Sequence, residues 1–94
     1  MRVVYTKHAA VDKFRMLDKH SFKPKVTKKM ISGVIKNPEH KDTTSDPPNV
    51  IVSSSIDDNH VLRVVYKKED DIIIVITFHP AEQGRYYEKK TGKN

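Results

Sequence analysis

The spacing of apolar positions changes along this chain, and each change predicts a different element. Val3, Val4 and Tyr5 are consecutive and read as a very short opening strand. Thr6 follows as a helix N-cap. From Lys7 to about His20, Ala10, Phe14 and Leu17 recur at i, i+4 and i+7 with Val11 beside them, which predicts a helix. Its other face carries His8, Asp12, Arg15 and Lys19. Pro24 interrupts the pattern. A second helix is expected from about Thr27 to Lys36, with Val26, Met30, Ile31, Val34 and Ile35 as its stripe. Thr27 is its N-cap, and Val26 is placed to staple onto Ile31. Asn37-Pro38 ends it.

The period then shortens. Glu39 to Thr44 is polar and reads as a weak edge strand, and Asp46-Pro47-Pro48-Asn49 is the clearest turn. Three extended segments follow: Val50 to Ile56, His60 to Tyr66, and Ile72 to Phe78. They are separated by turns at Asp57-Asp58-Asn59 and within Lys67 to Asp71. Ile72 to Phe78 is nearly all Ile and Val, as in a central strand buried on both faces. Helices first and strands afterwards predict a single α+β domain over residues 1–94, with two N-terminal helices on one face of a three- to four-stranded antiparallel sheet. Phe14, Leu17, Ile31, Ile35, Leu62, Ile74 and Ile76 are the expected core. The tail from Lys89 to Asn94 is expected to fray.

Composition narrows the function classes. No apolar run approaches a membrane span, and Met1 to Thr6 lacks the apolar stretch of a secretory signal, so a cytoplasmic protein away from membranes is expected. With no cysteine, a disulfide scaffold and a thiol enzyme are excluded. His20, His40 and His60 have no metal-ligand spacing, so neither metal nor cofactor is expected. The net charge of +6 is unevenly placed: +8 over residues 1–37, −4 over 38–60 and +2 over 61–94. A basic N-terminal part suits a polyanion, although a solvated basic surface accounts for each lysine singly.

Arg63 is the most informative single residue, because it interrupts an apolar strand. It reads as a phosphate ligand, or as the ion-pair partner of Asp57 or Asp58. His79 at a strand end suits proton transfer near neutral pH. Arg85, Tyr86 and Tyr87 place a cation beside two rings, as in base stacking next to a phosphate. Lys25, Lys28 and Lys29, with His8 and Thr77, are the candidate substrate contacts. An odd-length loop in the second hairpin would put Arg63, Thr77 and His79 on one face, with Leu62, Val64, Ile72, Ile74, Ile76 and Phe78 on the other. A two-residue Glu69-Asp70 loop would separate Arg63 from His79. The odd-loop register gives the more uniform apolar face and is the one expected.

His60-Val61-Leu62-Arg63-Val64-Val65-Tyr66, an acidic turn and Ile72 to His79 resemble the C-terminal hairpin of RelE- and YoeB-type bacterial toxins, with its R-x-x-Y strand. The His8-Ala9 helix start is similar to a branch of small RelE-like proteins. The resemblance implies a RelE-like fold and a metal-independent, ribosome-associated mRNA endonuclease partnered by an acidic antitoxin. It implies Arg63 as the strand arginine and His79, or Tyr86 or Tyr87, as the C-terminal acid–base group. Arg85 corresponds to the second arginine of some members. The chain departs from the pattern at Ser53-Ser54-Ser55, where catalytic members carry Lys or Glu, and at Pro80 directly after His79. Two alternatives stand beside the nuclease: a non-catalytic module of the same fold that binds nucleic acid or protein, and a ParE-like inhibitor of DNA gyrase.

Overall fold

A computed structural model describes residues 2–13 and 25–82. The described chain runs β1 (Arg2–Tyr5), a π-type helical segment (His8–Lys13), α1 (Lys28–Lys36), β2 (His40–Asp42), β3 (Val50–Ser55), β4 (His60–Glu69) and β5 (Ile72–Glu82). The strands form one five-stranded sheet in the order β1-β5-β4-β3-β2. β2 through β5 pair antiparallel, whereas β1 lies parallel to β5, with Val3 opposite Ile73 and Tyr5 opposite Val75.

This corrects the expected architecture. The sheet is mixed and has five strands, and α1 is the only regular α-helix among the described residues. The reason lies in pairings remote in sequence. Val3 and Tyr5 pack against the core by lying beside β5, and parallel pairing is possible because the intervening chain supplies the long crossover it requires. The first helix begins as foreseen: the Thr6 hydroxyl accepts from the Ala9 N–H at 3.2 Å, and the Ala10 N–H donates to the Thr6 carbonyl at 2.8 Å. It then widens into the π form over His8–Lys13. Residues 14–20 of the expected helix, with Phe14 and Leu17, lie outside the described residues, as does the tail.

α1 follows its sequence signals closely. The Thr27 hydroxyl accepts from the Met30 N–H at 3.1 Å, and the Asn37 N–H donates to the Gly33 carbonyl at 3.0 Å. Ile31, Val34 and Ile35 are buried, and Val26 is buried beside them. They meet Val52, Leu62, Val64, Tyr66, Ile73, Val75 and Phe78 from one face of the sheet. Of the expected core, Ile31, Ile35 and Leu62 are in place; Ile74 and Ile76 are only half-buried, and Ile73 and Val75 take their part.

An even loop followed by a β-bulge causes that exchange. The β4–β5 turn is a two-residue loop, Asp70-Asp71, between the paired Glu69 and Ile72; Asp70 takes a left-handed φ of 56°. Continued without interruption, this even loop would set Arg63 opposite Phe78. Instead the register slips between Val65, opposite Thr77, and Tyr66, opposite Val75, so that Ile76 is the extra residue. Beyond the bulge, Arg63 pairs with His79 and Val64 with Phe78. The expected parity is reached, but through a bulge rather than an odd loop.

Candidate functional site

Directly opposed residues share a sheet face, so the register reads out a row of side chains across four strands: His40 on β2, Ser53 on β3, Arg63 on β4 and His79 on β5. Thr77 lies on the same face, opposite Val65. This is the face that α1 does not cover. His40 is exposed, Arg63 and His79 are half-buried, and Ser53 is buried. Arg63 is bracketed on its own face by Val61 and Val65, both buried, which limits the directions its guanidinium can take. Pro80 is tolerated in β5 because β1 pairs only with Ile72 to Val75, leaving the far half of that strand edge without a β1 partner.

The helical segment completes the cluster. It packs against β5 past the end of β1, with Ala9 fully buried in the core. Thr6 ties its start to the bulge: the Thr6 N–H donates to the Val75 carbonyl at 3.0 Å, and its hydroxyl donates to the Ile76 carbonyl at 3.1 Å. Lys13, at the end of the segment, is only 7% exposed, and its Nζ lies 2.9 Å from His79 Nδ1. Burial pushes the His79 imidazole below its ordinary pKa, and the positive charges of Lys13, Arg63 and His8 push it the same way. Burial also lowers the Lys13 ammonium. The arrangement is a largely neutral imidazole among cationic groups, and it can bind and polarise an anion while exchanging a proton.

No family model, curated protein or solved structure matches this chain. Its site is therefore read from its own geometry.

Of the residues singled out in the sequence, Arg63, His79 and Thr77 share a face, and His8 contributes charge from an exposed position. Lys25, Lys28 and Lys29 are exposed at the start of α1 and do not join them. The Lys28 Nζ instead lies 5.0 Å from the centre of the Tyr5 ring. Arg85, Tyr86 and Tyr87 lie outside the described residues. Asp57, one of the two acids considered for Arg63, accepts from the Asn59 N–H and lies 2.9 Å from His60 Nδ1. Among the described residues, no three His, Asp or Glu side chains gather as a metal site. No described helix is long and apolar enough to cross a membrane.

Lys13 is the residue that sequence reasoning passed over. On an ideal α-helix it is one of many basic positions. The available signal was its spacing from Ala9 and Ala10, whose small side chains let that side of the segment approach the sheet.

Proposed function

We propose that this domain binds RNA through the Arg63–His79 face and cleaves it as a metal-independent endoribonuclease. We place it in the ribosome-associated class of toxins held in check by an acidic antitoxin. The observation that carries the reading is the direct cross-strand pairing of Arg63 with His79, a guanidinium beside an imidazole on one face. The basic N-terminal part and the likeness of residues 59–79 to RelE- and YoeB-type hairpins support it. In such a reaction the ribose 2′ oxygen attacks the adjacent phosphorus and the 5′ oxygen departs. Arg63 stabilises the charge added to the phosphate, and His79 handles a proton. Controlled expression with mapping of RNA ends tests this. Wild type should generate new ends that Arg63→Ala does not.

One observation favours a second reading, a module that binds RNA without cutting it. Ser53, directly opposite Arg63, stands on the strand where the resemblance calls for Lys or Glu. RNA retention by wild type with no new ends, on ribosomes or on free RNA, would select this reading. Growth arrest with altered DNA supercoiling and intact RNA would instead select the gyrase inhibitor.

A further inference from the structure

We propose that Lys13 is a positioning residue that fixes His79 in its Nε2–H tautomer, so that the site presents a neutral hydrogen-bond donor beside the Arg63 guanidinium. An ammonium has donors and no lone pair. At 2.9 Å from Nζ, Nδ1 must therefore accept, and the single proton of the neutral ring resides on Nε2. The shared proton stays on lysine because an amine is more basic than an imidazole by about four units. The surroundings of His79 reinforce the neutral ring: Arg63 faces it from β4, and His8 and Lys13 from the helical segment. β1 adds no charge there, because it ends at Tyr5, opposite Val75.

The position of Lys13 is built rather than incidental. Thr6 clamps the start of the segment to the carbonyls of Val75 and Ile76, at the bulge. Ala9 anchors its middle in the core. The π winding then brings a nearly enclosed Lys13 to the ring. The bulge that turns His79 toward Arg63 is thus also the anchor point of the segment that holds His79.

Resting on the cleavage reading, this gives His79 the donor's part rather than the base's. As the O2′–P bond forms and the P–O5′ bond breaks, the Nε2 proton passes to the departing 5′ oxygen. Nδ1 takes a proton from the Lys13 ammonium, and the ring ends neutral. The 2′-OH proton goes to solvent; solvent then reprotonates Nε2 while Nδ1 returns its proton to the Lys13 amine, which restores the starting state. The ligand class that fits is a phosphodiester monoanion, which accepts from both groups at once.

Long-range proton–nitrogen NMR of the His79 ring in the intact chain is the test. Wild type should show Nε2 protonated and Nδ1 bare, with a titration midpoint below the ordinary imidazole value near 6.5. Lys13→Met should lose the tautomer preference and raise the midpoint, while Lys13→Arg, which keeps a donor, should restore both. A wild-type ring protonated on Nδ1 would overturn the proposal, as would an unchanged tautomer and midpoint in Lys13→Met. Should Lys13→Met fail to fold, the wild-type spectrum and Lys13→Arg decide, and loss of the tautomer in Lys13→Arg counts against it. Absence of RNA cleavage with the expected spectra would sink the nuclease reading and leave the role of Lys13 standing.

Discussion

The two faces of the sheet are made by alternate residues of the same strands, yet they are put to different uses. On one, Val52, Leu62, Val64, Val75 and Phe78 are essentially inaccessible and meet Ile31, Val34 and Ile35 of α1. On the other, the positions between them include Ser53, Arg63, Thr77 and His79, with His40 at the edge strand. The first face is fixed by area removed from water, a non-directional force that tolerates exchange among similar side chains. The second depends on direction: a 2.9 Å contact to a named ring nitrogen and a guanidinium held opposite that ring. Because the period is two residues, a single-residue slip exchanges the faces. The Ile76 bulge therefore serves both faces at once.

The most severe way to break this division is to insert an alanine between Ile76 and Thr77, which moves every residue beyond the one-residue bulge by one place. Arg63 would then stand opposite Phe78, and His79 would turn toward the core. We expect loss of the folded state, read as collapse of amide dispersion in NMR spectra. An insertion variant that stayed as stable as wild type would show that the register beyond the bulge does not set the faces.

Neighbouring substitutions sharpen the same contrast. Phe78 is fully buried, and Phe78→Ala should cost about 3–5 kcal/mol in urea unfolding. His79→Ala, one residue on, should cost less, about 1–3 kcal/mol, because it leaves the enclosed Lys13 ammonium without its acceptor. Comparable losses from both would mean that the second face is as structural as the first.

Activity should show the reverse ranking. With folding intact by circular dichroism, His79→Ala should lower RNA cleavage on the order of 10²–10⁴-fold. Arg63→Ala should also lower it, and Arg63→Lys should recover only part, because an ammonium cannot make the bidentate contact. Full cleavage by either alanine variant would remove that residue from the site.

The smallest effect is one of pH. Burial and nearby cations depress the folded-state pKa of His79 below its unfolded value. The unfolded chain therefore binds more protons, and the contribution to stability is present above the ordinary imidazole value near 6.5. It is lost as pH falls from there through the folded pKa. Wild type should lose more stability between pH 7.5 and 5.5 than His79→Asn, measured by denaturant midpoints at both values. Parallel losses would indicate that His79 does not carry this linkage.

Local signals carried much of the fold. The stripe of Ile31, Val34 and Ile35, the Thr27 cap, the turn at Asp57 to Asn59, the edge strand at His40 to Asp42 and the internal position of Ile72 to Phe78 follow from spacing and turn chemistry in short windows. So does Arg63 as an exception within an apolar strand. These features depend on residues a few positions apart, whose preferences act before the chain collapses. Three others depend on partners far along the chain. The parallel docking of β1 on β5, the bulge at Ile76 and the reach of Lys13 to His79 join segments of no sequence proximity. The Thr6 clamp spans the same gap. Sequence by itself determined the buried stripe of α1 and Arg63 as the cation within an apolar run, because hydrophobic periodicity is a local property. Tertiary structure alone decided that His79 faces Arg63 and is held by Lys13. Strand parity turns on one extra residue whose place is set by packing, and a lysine acquires a partner only when the fold encloses it.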